Sequence, residues 1–249
     1  MGKRGQIALY LLIGLVLIIG ILLFVAIKPE TDINVDSIEV QNIKNYVKNC
    51  IDISAARNLR MIANNGGNYY APELDFRYEG SLAMVLFNKG EIFLKDKDVL
   101  AEEFNDALEF SVLPCINEFY DINEDSMSSE VIINEDNIVY ELNLPVTIEK
   151  SNVEITVSNF RQEMPVRLGY FLKIAKEILM QNKYNYPGII VEDLLDYEVN
   201  ITSLYAEENV TIFQISEYNE YLKSDFIFMF ASVFGESENV VNISTLEFY

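Results

Sequence analysis

The sequence predicts an α+β protein in which one N-terminal transmembrane helix precedes an outer domain of helices and antiparallel strands. Three observations lead to this prediction. Residues 7–27 are 21 consecutive positions without a charged side chain. The remainder alternates between apolar residues spaced by three or four, as in helices, and strict apolar–polar alternation, as in strands. These segments do not follow a regular strand–helix–strand order, which favours α+β over a parallel α/β sheet.

The apolar run at 7–27 is long enough to cross a bilayer. At about 1.5 Å per helical residue it spans about 30 Å, the thickness of the hydrocarbon core. A cleaved signal peptide has a shorter apolar region and a small-x-small cleavage site, and the sequence shows neither. Lys3 and Arg4 precede the run, whereas Glu30 and Asp32 follow it. The positive-inside rule therefore predicts a retained anchor with a cytoplasmic N-terminus.

The charge balance excludes several classes of function. All 39 acidic residues and 15 of the 18 basic residues follow residue 28, and the chain contains no histidine. Binding to a nucleic-acid backbone depends on clustered Lys and Arg, so we expect no nucleic-acid partner. The lack of histidine removes the commonest general base and the commonest zinc ligand. An acidic surface suits a domain on the outer side of the membrane.

The chain is thus expected to have four parts. Residues 1–6 form a short cytoplasmic N-terminus, residues 7–27 the membrane helix and residues 28–36 a polar spacer that begins near Pro29. Residues 37–249 form the outer domain, either as one unit or as two subdomains at about 37–120 and 130–249.

The first half of the outer domain reads as helix, hairpin, helix. A helix is predicted from Ser37 to the Asn64-Asn65-Gly66-Gly67 stop signal. Its seam is Val40, Ile43, Val47, Cys50, Ser54, Arg57 and Met61. Because Ser54 and Arg57 interrupt that seam, packing on the chain's own domain is favoured over a dimeric coiled coil. Residues 82–94 then predict a β-hairpin. Asp98 is expected to cap a second helix, which Pro114 disturbs near its end. Its apolar face is Leu100, Phe104, Ala107, Leu108 and Val112.

The second half reads as a ribbon, a helix and further strands. Residues 132–149 and 153–160 alternate apolar with polar and predict one long two-stranded ribbon joined near 150–152. Pro165 is expected to open a third helix, which residues 185–188 break. The face of this helix is Phe171, Ile174, Ala175 and Ile178. The last predicted strands are Tyr197–Ser203, Val210–Ser216 and Phe226–Phe234.

Cys50 and Cys115 are the two cysteines of the chain. Outside the membrane such a pair favours a disulfide, and the alternative is two buried free thiols. In either case we expect a structural role, because two cysteines without histidine make a poor zinc site.

Two kinds of site motif occur in the outer domain. Asn200-Ile-Thr202, Asn209-Val-Thr211 and Asn242-Ile-Ser244 match the acceptor pattern for N-glycosylation. Asp121, Asn123 and Asp125 begin like a calcium loop, with oxygen ligands at alternate positions. The turn glycine and the twelfth-position Glu of that loop are absent, so a solvated acidic loop is favoured and no cofactor is predicted.

The N-terminal Lys3-Arg4-Gly5-Gln6, placed directly before the apolar run, resembles the class III signal of archaeal type IV pilin-like proteins. In that family a prepilin peptidase cleaves between the residues that match Gly5 and Gln6. The family usually has Glu five residues after the cut, where this chain has Tyr10. More broadly, the chain resembles uncharacterised single-span archaeal envelope proteins with a Lys-Arg/Lys-Gly-Gln start. This resemblance implies an envelope location and assigns no activity.

These observations favour a membrane-anchored extracytoplasmic envelope protein with a non-catalytic structural or binding role. Its expected contacts are the lipid bilayer, through residues 7–27, and an envelope protein partner. No motif for a serine nucleophile, phosphate loop, dinucleotide or metalloprotease occurs in the sequence. Two alternatives stay open: a pilin-like filament or adhesion subunit cleaved after Gly5, and a membrane-tethered hydrolase that uses carboxylates.

Overall fold

The structure, a computed structural model, is described for residues 35–69, 74–78, 81–120, 122, 124–150, 153–184, 197–235 and 240–242. Residues 40–249 form one compact unit. Its described part combines long helices with antiparallel-dominated sheets, which confirms the α+β class. The predicted membrane helix at 7–27 lies outside the described residues, and no helix within them is long and apolar enough to span a bilayer.

Long helices occur three times in the described residues: α1 (Val35–Asn64), α2 (Lys97–Asn117) and α3 (Leu168–Tyr184). A short 3-10 turn covers Glu124–Ser126. In α1 the predicted seam holds at Ile43, Val47 and Cys50, which are fully buried in the chain's own domain. It is wrong at Arg57 and Met61, which are exposed. Since an α-helix has about 3.6 residues per turn, a heptad seam drifts. The buried stripe of α1 therefore continues through Asn58, Leu59 and Ile62.

Helix α2 buries the predicted apolar face but begins before the predicted cap. Leu100, Phe104, Ala107, Leu108 and Val112 are all buried. Asp96 occupies the N-cap position with extended backbone, and its carbonyl oxygen accepts the Leu100 N–H at 3.1 Å. Asp98, predicted as the cap, instead lies in the first turn, where a carboxylate interacts favourably with the helix dipole. Pro114 lies inside the helix, which continues to Asn117.

Twelve strands occur in the described residues. They are β1 (Leu74–Tyr78), β2 (Ser81–Asn88), β3 (Glu91–Ile92), β4 (Ser128–Ile133), β5 (Ile138–Asn143), β6 (Val146–Lys150), β7 (Val153–Val157), β8 (Phe160–Met164), β9 (Asn200–Glu207), β10 (Val210–Asn219), β11 (Ser224–Val233) and β12 (Val240–Asn242). The large sheet has the order β12-β1-β2-β11-β10-β9, with β3 also paired to β2. Its one parallel pair is β2 with β11, so the sheet joins strands from both halves of the domain.

The predicted long ribbon at 132–160 is wrong. This stretch belongs to five strands, which form a three-stranded sheet in the order β4-β5-β8 and a separate β6–β7 hairpin. Apart from the predicted turn, three breaks divide it, and one of them is at residues 158–159 between β7 and β8, where Asn159 has a positive φ of 61°. Residues 134–137 form a tight turn between β4 and β5, in which the Asn134 N–H donates to the Asn137 carbonyl at 2.9 Å. Pro145 follows buried Leu144 and has no N–H to donate, so pairing stops between β5 and β6. The predicted turn near 150–152 does join β6 and β7.

Helix α3 begins at Leu168 and not at Pro165. The Pro165 carbonyl accepts a hydrogen bond from Asn219 Nδ2 at 2.8 Å, and the Val166 N–H donates to the Met164 carbonyl. These bonds hold residues 165–167 as a connection that precedes the helix. The predicted face of α3 is confirmed, because Phe171, Ile174, Ala175 and Ile178 are fully buried.

The main core lies between the helices and the inner face of the large sheet. Phe226, Phe228 and Phe230 alternate along β11 and are fully buried. Phe226 meets Phe171 of α3 with ring centroids 5.1 Å apart. Each buried aromatic side chain of this kind contributes about 2–3 kcal/mol by leaving water. The side-chain amide of Asn182 donates to Ser232 Oγ at 2.9 Å within the same interface, fixing α3 on β11.

A disulfide joins Cys50 of α1 to Cys115 of α2, as the sequence predicted. The two Cα atoms are 5.8 Å apart, inside the usual range for such a bond. Beside the bridge, the Tyr46 hydroxyl donates to the Cys115 carbonyl oxygen at 2.7 Å. The disulfide thus links α1 to α2 covalently, and the adjacent hydrogen bond of Tyr46 joins the same two helices.

We expect the double substitution Cys50→Ala/Cys115→Ala to lower the free energy of unfolding by up to about 4 kcal/mol. The bridge closes a loop of 65 residues, and opening it restores conformational entropy to the unfolded chain. Urea unfolding with and without reductant measures the effect. Reductant should destabilise the wild-type chain and leave the double variant unchanged. Equal stability of the two proteins without reductant would contradict this prediction.

Candidate ligand-binding groove

A groove with a volume of 350 Å³ lies where the β3–α2 connection, the β4–β5 turn and α3 meet. Its size falls within the range of small-molecule sites, about 300–1,000 Å³. All of its lining residues lie in the compact unit formed by residues 40–249. We call it the lysine groove, because Lys95, Lys97, Lys173 and Lys176 are among its lining residues.

The floor of the lysine groove is apolar. It is formed by Ile92, Leu94, Ile133, Leu172 and Met180. Ile133 and Leu172 are buried, whereas Met180 is 38% exposed. Methionine is flexible and polarisable, and it adapts to ligands of different shape. The floor can therefore accommodate an apolar body.

The rim of the groove carries four lysines. Lys95 and Lys97 lie at the start of α2, and Lys173 and Lys176 lie on α3. Asp96 and Glu135 are the acidic residues of the lining, so its formal charge is +2 in a chain with net charge −21. This makes the rim a local reversal of the charge on the rest of the molecule, and it favours a negatively charged ligand group.

The four lysines differ in their partners. Lys95 Nζ lies 2.6 Å from Glu103 Oε1, and Lys173 Nζ lies 3.3 Å from Glu135 Oε1. Lys97 and Lys176 are exposed and make no ion pair with any described residue. Two ammonium groups on opposite sides of the groove are thus available to a ligand, while the other two are held in place by carboxylates.

One wall depends on a glycine. The start of α3 lies directly against the β4–β5 turn, and a Cβ on Gly169 would be 2.4 Å from the carbonyl oxygen of Asn134. Asn134 Nδ2 also donates to Asn137 Oδ1 at 2.8 Å, which closes the turn on itself. Because a backbone atom occupies the space, only glycine permits this approach. The close contact sets the distance between Glu135 on the turn and Lys173 on α3.

No family model, curated protein or solved structure matches this chain. What the site can bind therefore has to be argued from its own residues. An apolar floor beneath a cationic rim is complementary to a ligand that combines an apolar body with an anionic group.

The three predicted glycosylation sites differ in their surroundings. Asn200 and Thr202 are both exposed on β9. Asn209 is half-buried, and Thr211 of the same motif is 2% exposed. Asn242 pairs with Leu74 through the backbone, and its side chain lies outside the described part of the structure.

Most of the other predicted site residues lie outside the described ranges. These are Gly5 and Gln6 of the cleavage motif and Asp121 and Asn123 of the calcium motif. Asp125 is described and is exposed in the 3-10 turn. Within the described residues no group of three or more acidic or cysteine side chains is arranged to hold a metal ion.

Glu217 and Tyr140 are among the described titratable groups elsewhere in the fold whose pKa values burial raises. Burial raises the pKa of Glu217, and the guanidinium of Arg167 at 2.9 Å partly opposes that rise. Burial also raises the pKa of Tyr140 to about 12. The Tyr140 hydroxyl is fully buried and has no hydrogen-bond partner by distance and angle among the described residues, and the nearby Ser129 hydroxyl is hydrogen-bonded to Asn105 and Glu109 of α2. Neither group borders the lysine groove.

The lysine groove was missed by the sequence reasoning. Lys95 and Lys97 flank an aspartate, and Lys173 and Lys176 are spaced by three on a helix, which are common surface patterns. The two pairs become neighbours through the packing of α3 against the β4–β5 turn. One signal in the sequence could have indicated the groove. Basic residues are scarce in this acidic chain, so two pairs of closely spaced lysines are unusual.

We expect Gly169→Ala to lower the free energy of unfolding by about 1–3 kcal/mol, because the Asn134 carbonyl must move. Within a helix, Ala is otherwise favoured over Gly by about 1 kcal/mol. The sign of the effect therefore distinguishes the close contact from helix propensity. Thermal unfolding followed by circular dichroism measures it, and an increase in Tm would contradict the packing described here.

Proposed function

We propose that this chain is a single-pass membrane protein whose extracytoplasmic domain binds an anionic amphiphile, without catalysing a reaction. The anionic amphiphile is a ligand with an apolar body and a negatively charged group. The observation that carries the ligand class is the lysine groove, in which a cationic rim lies over an apolar floor within an acidic chain.

The membrane part of the proposal is supported by the sequence. The uncharged run at 7–27 is long enough to cross a bilayer, and its flanking charges favour a cytoplasmic N-terminus. The disulfide adds support, because such bonds persist in oxidising surroundings and are rare in the cytosol. An anchored domain is also held close to the membrane surface, where amphiphiles are abundant.

The groove supports a binding role through complementary forces. Burial of a ligand's apolar body against Leu94, Leu172 and Met180 contributes about 25 cal/mol per Å² of area removed from water. Lys97 and Lys176 lack ion-pair partners in the described structure, so a ligand anion displaces no carboxylate when it contacts them. Specificity would then come from the charged group and affinity from the apolar body.

The pilin-like alternative is favoured by one feature, the Lys3-Arg4-Gly5-Gln6 start. A filament subunit of that kind would lose residues 1–5 and present Gln6 as its new N-terminus. An anchored binding protein retains those residues.

We expect the intact mass of the protein from its own membranes to include residues 1–5. We further expect protease added to intact cells to degrade residues 37–249. Both results follow from an uncleaved anchor with a cytoplasmic N-terminus. Mass spectrometry and protease accessibility measure them, with a cytoplasmic protein as the control for cell integrity. A mass lacking residues 1–5 would favour the filament alternative. Protection from protease in intact cells, with degradation after lysis, would contradict the outer placement.

We expect decanoate to raise the Tm of the full chain in nanodiscs and to bind about tenfold more weakly to Lys97→Ala/Lys176→Ala. Each lost contact between a lysine and the carboxylate costs about 0.5–1 kcal/mol. The loss of both contacts therefore weakens decanoate binding about tenfold. Titration by thermal shift measures the apparent Kd. Lys44→Ala/Lys48→Ala removes the same charge from exposed positions of α1 and is the matched control.

Two further ligands separate the contributions of charge and apolar surface. Decanol retains the apolar body without the charge, and acetate retains the charge without the body; both should bind much more weakly than decanoate. Equal decanoate affinity in the two double variants would exclude the lysine groove as the site. A response to acetate as large as that to decanoate would exclude the amphiphile class.

A further inference from the structure

Among the described residues, strand β9 is an edge strand of the large sheet. It pairs with β10 from Asn200 opposite Ser216 to Glu207 opposite Val210, and the described residues contain no strand on its other side. Leu204 is 53% exposed and Tyr205 is 64% exposed. An open edge with exposed apolar side chains can pair with another chain and lead to aggregation. Soluble domains normally protect such an edge with charge, proline, a bulge or a cover.

The usual protection is weak along β9. Its sequence, Asn-Ile-Thr-Ser-Leu-Tyr-Ala-Glu, contains no proline and no charged residue before Glu207. The irregularity in its pairing lies at its far end, near Val210 and Thr211. It leaves Ala206 without a paired residue, and the remaining stretch, residues 200–205, is regular and uncharged. The side chains of residues 200–205 thus supply neither the charge nor the proline that usually protects an edge strand.

The strand begins with a glycosylation motif that the folded protein exposes. Asn200 and Thr202 are both exposed, and they share one face of β9 with Leu204 because alternate residues of a strand point the same way. At about 3.3 Å per residue, Leu204 lies about 13 Å from Asn200 along the strand. A glycan of a few sugars spans that distance.

The second motif of this region is built differently. The Asn209 side chain packs against Gly235, so that a Cβ on Gly235 would be 2.9 Å from Asn209 Nδ2. The Asn209 carbonyl accepts the Phe234 N–H at 2.8 Å, and Thr211 is 2% exposed. A modifying enzyme that needs both the amide and the hydroxyl therefore cannot engage Asn209 in the folded domain.

We propose that Asn200 carries an N-linked oligosaccharide that shields the β9 edge from pairing with other chains, and that Asn209 is not modified. The donor is an oligosaccharide joined through its C1 to the phosphate of a lipid carrier. The Asn200 Nδ2–C1 bond forms as the C1–O bond to phosphate breaks. The amide loses one proton, and the lipid phosphate departs with the bonding electron pair. This inference rests on the outer placement of the domain in the proposed function.

The test uses four variants of the full chain, made in its own host. They are analysed by intact-mass spectrometry and by fragmentation of their glycopeptides. Wild type should carry glycan mass at Asn200. Asn200→Gln and Thr202→Ala should lose it, whereas Thr202→Ser keeps an acceptor motif and should retain it. Asn209→Gln should be indistinguishable from wild type. Glycan mass that persists in Thr202→Ala, or that is lost in Asn209→Gln, would overturn the assignment.

The shielding role has its own measurement. In size-exclusion chromatography with light scattering, Asn200→Gln should shift toward oligomers at concentrations where the wild type is monodisperse. Asn200→Gln/Leu204→Lys places a charge on the open strand and should restore the wild-type profile. An unglycosylated Asn200→Gln that elutes like the wild type would overturn the shielding role.

The same samples separate this inference from the proposed function. Protease digestion of intact cells reports where the domain lies, independently of glycan. An unmodified Asn200 in a domain that external protease degrades would refute the glycan and leave the outer placement intact. An unmodified Asn200 in a protected domain would refute both.

Discussion

The parallel pairing of β2 with β11 is the constraint on which the rest of the fold depends. It joins a strand that begins at Ser81 to one that begins at Ser224, so the large sheet cannot form from either half of the domain alone. Every other pairing in that sheet is antiparallel and adds strands outward from this centre. Helix α3 packs on β11 through Phe171 and Asn182, and it carries one wall of the lysine groove. The groove therefore depends on a sheet assembled from distant parts of the chain.

Elements with strong local patterns were predicted well. The buried faces of α2 and α3 follow helical spacing, and β10 and β11 largely follow alternation, so burial and sequence agree there. The strand predicted at Tyr197–Ser203 instead runs from Asn200 to Glu207, and its residues 202–205 are all exposed. Errors occurred where two local rules compete. Asp96 and Asp98 are both of a residue type that favours the N-cap, and the helix begins after the first of them. The stretch 132–160 alternates almost throughout, but the turn at 134–137, Pro145 and the break at 158–159 divide it.

The site was harder to predict than the fold for a physical reason. Lysines 95 and 97 gain significance from lysines 173 and 176, and these pairs become neighbours only in the folded domain, where Gly169 at the start of α3 contacts the Asn134 carbonyl of the β4–β5 turn. No local rule indicates that contact, since glycine at the start of a helix is ordinary. The disulfide was accessible because its chemistry limited the choice to one pair, Cys50 with Cys115. Sequence reasoning succeeded where the alternatives were few and failed where tertiary packing selected among many.

The position of the disulfide also bears on the order in which the chain can be assembled. Both cysteines precede β4, so the bridge can close before β11 has been synthesised. Until then β2 lacks its parallel partner, and residues such as Leu86 and Phe87 have no complete core to enter. The loop closed by the disulfide contains β1, β2 and β3. It limits how far these strands move from the helices until β11 is available. Long-range pairing is slow because loop closure costs entropy, and shortening the search reduces the time that an incomplete sheet is open to wrong partners.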